Sequence, residues 1–207
     1  MLKADTGAPR LQEIEVRGLT RGALILRGAL AAGALYGAGS VAPFVGRALA
    51  GGQTDVQILN FALMLESLEA AFYKEGPKVG LQGQVKKLAA EFGKHEDEHV
   101  ATLTKTIMML GGTPAKMPVF SFPVQDQQSF LALAVTLEDT GVSAYNGAGP
   151  MLKSKEVLAA AGSIVQVEAR HASALRLAAK LDPIPDAFDR AFTMSEALAA
   201  AKPLIKS

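Results

Sequence analysis

The chain has 207 residues, of which 49% are hydrophobic, and its 21 basic residues nearly balance 20 acidic ones. This length predicts one sizeable domain with some additional chain, and the balanced charge offers no basic surface for a nucleic acid. Since cysteine is absent, disulfides, thiolate metal sites and a thiol nucleophile are excluded. With only three histidines, any metal site must be rich in carboxylate oxygen.

The N-terminal region divides into a polar tail and a hydrophobic segment. Residues 1–17 are polar and mixed in charge, and they predict a tail that is either solvated or ordered by a partner. Residues 18–50 contain an uncharged, Gly- and Ala-rich run, 28–45, with arginines on both sides. As a helix this run would be about 27 Å long, which is near the thickness of a bilayer core.

Three interpretations of residues 18–50 remain open. A cleaved export signal fits the basic flank and the small residues Ala48 and Ala50 before Gly51. A retained membrane anchor fits the length of the run and its basic N-terminal side. A Gly/Ala-rich helix that packs on a partner is the third interpretation. Signal and anchor are favoured, so we expect an exported or membrane-anchored protein of the cell envelope, with a cytoplasmic location as the alternative.

Four long helices are predicted after a short linker, from apolar spacing and from residues that begin or end helices. Thr54 or Asp55 is suited to start the first helix, and Asp126 or Ser129 the third, because these side chains accept hydrogen bonds from free helix amides. The predicted helices span about 55–75, 81–110, 130–148 and 155–181.

Two further segments complete the predicted organisation. Residues 113–124 contain three prolines and no helical period, which predicts a connection long enough to cross from one end of a bundle to the other. Residues 182–207 form a C-terminal extension, in which an Ala/Leu run predicts a short helix near 195–201.

The two halves of the helical region, residues 54–181, repeat each other at an offset of 72 residues. Each half contains Leu-Glu, then a tyrosine seven residues after that glutamate, then Glu-x-x-His thirty residues after it. A single Glu-x-x-His is common by chance, but two with the same preceding residues indicate one shared site. The matched pairs are Glu66 and Glu138, Tyr73 and Tyr145, Glu96 and Glu168, and His99 and His171.

This repeat predicts a dinuclear metal site. Glutamate and histidine three residues apart share a helix face, and four helices can bring such side chains to one level of a bundle. Four buried glutamates would repel one another and lose their hydration, whereas two divalent ions would neutralise them. Iron or manganese suits this donor set, with zinc as an alternative. The predicted ligands are Glu66, Glu96, His99, Glu138, Glu168 and His171.

Roles within the site follow from position. We expect Glu96 and Glu168 to bridge the two metals, with the histidines as terminal ligands and the other two glutamates on one metal each. Tyr73 and Tyr145 lie two turns along the same helix faces, about 10 Å away along the axis. We expect these tyrosines to serve the reaction as hydrogen-bond donors or as groups that can form radicals.

Two neighbouring side chains have weaker claims to a ligand role. Glu69 lies one turn after Glu66, and His95 lies one turn before His99. Neither has a counterpart of its own type in the other half of the repeat. The repeat therefore selects Glu66 and His99.

The residues that carry this pattern resemble the ferritin-like superfamily of di-iron carboxylate proteins, which includes bacterioferritin and rubrerythrin. The stretches 59–63, 65–66 and 69–73 are most similar to its ferritin-like domain and desiccation-related branch. The resemblance covers about residues 54–181 and all six ligand positions. It implies an all-α antiparallel four-helix bundle with a long crossover between the second and third helices, and iron-dependent chemistry with dioxygen or peroxide. Rubrerythrin-like proteins supply an extra carboxylate one turn after Glu138, where this chain has Gly141.

Two functions are compatible with these features. The first is a di-iron or di-manganese oxidoreductase, of ferroxidase or peroxidase type, that protects against stress by oxidising Fe(II) or by reducing dioxygen or peroxide. The second is a non-catalytic structural or stress protein, or an accessory subunit of a membrane complex. Expected partners are metal ions, dioxygen or peroxide, a membrane or membrane protein reached through residues 18–50, and further copies of the chain.

Overall fold

The computed structural model describes residues 54–206, and the predictions for residues 1–17 and 18–50 lie outside this range. The described chain is helical, and its only strand-like pairing is an isolated bridge between Phe120 and Ile205. Within these residues, none of the helices has the length and apolar character needed to cross a membrane. The main helices are α1 (Asp55–Tyr73), α2 (Gly83–Met109), α3 (Gln127–Ala148), α4 (Lys155–Ala178) and α5 (Met194–Ala201).

The four long helices form the predicted bundle. Helices α1 and α2 make one closely packed pair, α3 and α4 make the other, and α1 also packs on α3 while α2 packs on α4. Residues 113–124 form the predicted non-helical crossover from α2 to α3. The prediction of an all-α four-helix bundle with a long crossover is therefore confirmed for the described residues.

Side-chain caps fix where the helices begin. The Thr54 hydroxyl accepts a hydrogen bond from the Gln57 amide at the start of α1, and the Asp126 carboxylate accepts one from the Ser129 amide at the start of α3. In both cases the side chain three residues later returns a bond to the cap backbone, which satisfies amides that have no partner within the helix.

The C-terminal end of α4 lies three residues earlier than predicted. Lys180 adopts a left-handed conformation, with φ of 61°, and the Leu181 amide donates back to the carbonyl of Arg176 at 2.8 Å. This pairing is the one that closes many helices, and glycine is the usual residue at the left-handed position. A lysine there gave no sequence signal for the end of the helix.

Two apolar clusters lie on either side of the level where the acidic side chains meet. The first contains Phe72 and Phe130, whose rings stack at 4.5 Å. The second contains Leu63 and Ile107. On α2 and α4 the predicted ligands separate the residues of these two clusters, whereas on α1 and α3 residues of the first cluster lie on both sides of the predicted ligand. The bundle therefore holds its polar site in an apolar interior.

The C-terminal extension packs on α3 and on the crossover. The Phe192 amide donates to the carbonyl of Ser143 at 2.8 Å, and the Ser121 amide donates to the carbonyl of Leu204 at 2.9 Å. Gly147 lies directly under Phe192, and a Cβ atom at residue 147 would overlap the Phe192 carbonyl. This close approach requires glycine at position 147.

Gly147→Ala is expected to lower the free energy of unfolding by about 1–3 kcal/mol, because overpacking forces the backbone apart. Gly162→Ala in α4 is the matched control, since a Cβ atom there meets nothing within 4 Å. The control should be neutral or stabilising by up to about 1 kcal/mol, as expected for alanine in a helix interior. Urea unfolding of both variants measures the difference, and equal stabilities would contradict this packing.

Candidate metal centre

Each long helix delivers acidic or imidazole side chains to the same level of the bundle. Helix α1 provides Glu66 and α3 provides Glu138, while α2 and α4 each provide a glutamate and a histidine three residues apart. The four glutamates are at most 1% exposed. Such burial of like charges requires compensation by cations, protons or hydrogen bonds.

The six side chains form two overlapping groups, in each of which one donor atom per residue lies within 4.8 Å of the others. Glu96 and Glu168 belong to both groups. Two groups that share two carboxylates have the arrangement expected of a metal pair with bridging ligands. The first group is Glu66, Glu96, His99 and Glu168, and the second is Glu96, Glu138, Glu168 and His171.

His99 faces three carboxylates with one ring nitrogen. Its Nδ1 lies 3.0 Å from Glu66 Oε2, 3.0 Å from Glu96 Oε2 and 3.1 Å from Glu168 Oε1. A single N–H group points in one direction and cannot satisfy three acceptors. A metal ion between these atoms could accept electron pairs from all four side chains.

The donor atoms around His171 are close together but make few hydrogen bonds. His171 Nδ1 lies 3.1 Å from Glu96 Oε1 and 3.3 Å from Glu138 Oε2, yet these three atoms have no hydrogen-bond partner. Both Glu168 oxygens are buried without a partner as well. Buried polar atoms are rarely left unpaired, so these residues fit a bound cation.

The two predicted tyrosines contact the centre across the bundle. The Tyr73 hydroxyl donates a hydrogen bond to Glu138 Oε1, and the Tyr145 hydroxyl donates to Glu66 Oε1 at 2.6 Å. Each tyrosine therefore binds the glutamate of the opposite half of the repeat. These bonds leave the second oxygen of each glutamate directed to the donor groups.

The pKa shifts show how the centre is balanced without a metal. Burial raises the pKa of Glu66 and Glu138 well above the ordinary value, and nearby glutamates raise it further. For Glu168, burial and the charges of Glu138 and Glu96 outweigh the close contact with His99 and raise the pKa to about 8.

The other two groups form the ionised part of the centre. Burial by itself would raise the pKa of Glu96, but the interactions of this carboxylate with His171 and His99 outweigh burial and lower the pKa to about 2. Burial by itself would lower the pKa of His99, but the carboxylates of Glu168, Glu66 and Glu96 outweigh burial and raise the pKa to about 12. Protons and one ion pair thus supply the compensation that metal ions would otherwise provide.

A cavity of about 450 Å³ leads to the histidine side of the centre, between α2 and α4. His99 and His171 line it together with His95. His95 Nδ1 lies 2.9 Å from His171 Nε2, so the third histidine contacts the centre through another side chain. Because both histidines line it, this cavity gives small molecules access to the donor groups.

Glu69 is a buried acid that the sequence repeat did not select as a ligand. It is 3% exposed, and its Oε2 atom is buried without a hydrogen-bond partner. The two groups of donor atoms do not include it. Its place one helical turn after Glu66 is the sequence signal that could have identified it, because residues three apart share a face.

Comparison with known proteins agrees with this architecture. The chain resembles the crystal structure of a conserved hypothetical protein from Mycobacterium tuberculosis, with a TM-score of 0.56 and 20% identity over 64% of this chain and 94% of that one. At this identity the likeness supports the fold alone. No curated protein matches the sequence significantly. The model of the ferritin-like domain family matches residues 54–181. The chain therefore belongs to the ferritin-like domain family, with a glutamate and histidine cluster suited to divalent metal ions.

Proposed function

We propose that the six clustered side chains bind two divalent transition-metal ions and that the pair oxidises Fe(II) or reduces dioxygen or peroxide. The observation that carries this proposal is the sharing of Glu96 and Glu168 by two groups of donor atoms. We assign these two residues as bridges, His99 and His171 as terminal ligands, and the remaining two glutamates to one ion each. Iron is the expected metal, with manganese or zinc as alternatives, because the donor set combines carboxylate oxygen with imidazole nitrogen.

Charge balance supports two ions rather than one. The four glutamates carry four negative charges when ionised, and two divalent ions match them. A single divalent ion would leave two buried negative charges that protons or His99 would have to compensate. The second ion would bind to the buried oxygens that lack hydrogen-bond partners on Glu96, Glu138 and Glu168.

The chain's own groups would hold the ions, admit the oxidant and retain protons. When bound, two redox-active ions supply one electron each, enough with two protons to reduce one peroxide to two waters. Burial and nearby glutamates raise the pKa of Tyr73 and Tyr145 well above the ordinary value. Both hydroxyls therefore stay protonated and hold their glutamates in a fixed orientation.

The proposed setting is stress protection at the cell envelope. It is supported by the uncharged run 28–45 between flanking arginines, which fits a signal or anchor. A ferritin-like bundle attached in this way would meet oxidants before they enter the cell. Dioxygen or peroxide is the small-molecule partner that the proposed activity requires.

Single substitutions should separate shared ligands from unshared ones. Glu66→Gln should leave about one tightly bound ion per chain, because only one donor group loses a carboxylate. Glu96→Gln should weaken both ions, because both groups lose one. Metal analysis after anaerobic loading with Fe(II) measures the difference, together with the rate of peroxide consumption.

The control for these variants is Glu156→Gln, which removes an exposed charge from α4 about three turns before Glu168 and should retain two ions. Wild-type protein that holds far less than two ions per chain would contradict the dinuclear proposal. If Glu96→Gln lost its metal yet consumed peroxide at the wild-type rate, the metal would be structural and the proposed activity wrong.

Tyr73→Phe and Tyr145→Phe should each lower the affinity for one metal ion by about 10-fold or more, because the glutamate that the hydroxyl orients becomes mobile. The first should weaken the ion held by Glu138 and the second the ion held by Glu66. Competition with a chelator measures both affinities. Unchanged affinities in both variants would show that the hydroxyls do not position the ligands.

The metal-free protein should become less stable as pH rises between 4.5 and about 8, the ordinary and folded pKa of Glu168. A raised carboxyl pKa means that the folded state holds more protons, so its contribution to stability is lost across this interval. The raised pKa of His99 acts in the same direction above pH 6.5. We expect the free energy of unfolding to fall by at least about 1 kcal/mol from pH 5 to pH 8.

Urea unfolding in the presence of a chelator tests this pH dependence. In a separate sample, Mn²⁺ added in place of the chelator should restore most of the stability at pH 8, where fewer protons compete for the donor atoms. Metal-free stability that rises between pH 5 and pH 8 would contradict the charge balance described for the centre.

A further inference from the structure

Glu69 is a buried acid without an assigned role. It lies on α1, one turn after Glu66, with a side chain that faces the bundle interior. One of its oxygens is buried and makes no hydrogen bond. No positively charged side chain is described beside it either. Burial of an ionised carboxylate without a partner would destabilise the fold by several kcal/mol. A carboxyl group in such surroundings needs either a proton or a cation as its partner, and the metal centre next to it would supply the cation.

The position opposite Glu69 has no side chain. The residue that lies 72 positions later in the repeat is Gly141, and a Cβ atom there would lie 3.2 Å from Glu69 Oε1. Equivalent positions of the two halves thus meet inside the bundle, where there is room for one side chain. The carboxyl group of Glu69 fills this space, which is free because Gly141 has no side chain.

Glu69 also lies beside one of the shared glutamates. The same Cβ position at residue 141 is 3.7 Å from Glu168 Oε2, an oxygen that is itself without a partner. Glu69 and Gly141 belong to α1 and α3, whereas His99 and His171 come from α2 and α4. Glu69 therefore approaches the centre from the side away from the histidines.

We propose that Glu69 is a seventh ligand of the metal centre and binds through Oε2. This inference rests on the proposed pair of metal ions. A fifth carboxylate brings the negative charge of the donor set to five, which one divalent and one trivalent ion match better than two divalent ions. Glu69 would thus stabilise the more oxidised form of the centre, and the asymmetry of the repeat would be a functional feature.

Binding of Co²⁺ to wild type and Glu69→Gln tests this proposal without any measurement of activity. Glutamine keeps the size of the side chain but removes its charge. We expect at least one of the two Co²⁺ affinities to fall about 10-fold or more, and the visible spectrum of bound Co²⁺ to change because its coordination changes. In iron-loaded protein, the reduction potential should rise, since the lost negative charge favours the reduced state.

Gly141→Ala provides an independent variant that keeps every charge. Its added Cβ atom would press on Glu69 Oε1 and move the carboxylate, so the Co²⁺ spectrum should change in the same sense. Glu156→Gln, at an exposed acid in the first turn of α4, is the control for loss of a distant charge and should leave the spectrum unchanged. Glu69→Asp, which keeps the charge but withdraws the oxygens, replaces Glu69→Gln if that variant does not fold.

The outcomes separate this inference from the proposed function. If wild type and both variants at positions 69 and 141 bind two Co²⁺ ions with equal affinities and identical spectra, Glu69 is not a ligand and the inference is overturned while the metal pair stands. If wild type binds no Co²⁺, the metal pair itself is wrong, and the role of Glu69 is wrong with it.

Discussion

The structure depends on the electrostatics of several acids brought together in an apolar interior. Glu66, Glu96, Glu138 and Glu168 are almost completely buried between two hydrophobic clusters, where repulsion and lost hydration both disfavour ionisation. Each cation or proton that enters the cluster removes part of that penalty. Occupancy of the centre and stability of the bundle are therefore coupled, and the same residues that would bind metal also determine how firmly the helices stay packed.

The surroundings of the cluster differ from side to side. The histidine side borders a cavity of about 450 Å³, whereas Tyr73 and Tyr145 close the interior with hydrogen bonds across the bundle. Glu69 adjoins a smaller cavity of about 190 Å³ on the other side, which the residues after α5 help to line. The ligand set is nearly symmetric, but its access is not. A small molecule would meet imidazole groups in the larger cavity and the carboxyl group of Glu69 in the smaller one.

Much of the bundle and the cluster could be predicted because the signals are local or repeated. Helical spacing and caps such as Thr54 and Asp126 gave the helices, and the offset of 72 residues selected the six clustered side chains. Glu69 could not be chosen in this way, because an argument from a repeat rejects any residue without a counterpart. Gly147 could not be explained either, since the backbone that requires it, at Phe192, is distant in sequence. Contacts of this kind exist only after the chain has folded.

The crossed hydrogen bonds of the tyrosines bear on how the bundle arose. Tyr73 serves the glutamate of the second half and Tyr145 that of the first, so neither helical hairpin contains a complete set of contacts. Two copies of a single hairpin, associated as a symmetric dimer, would make both bonds at once. The repeat is thus consistent with duplication and fusion of an ancestral gene for one hairpin. After fusion the two copies could diverge independently, and a carboxylate at position 69 facing glycine at position 141 is a difference that a symmetric dimer could not have carried.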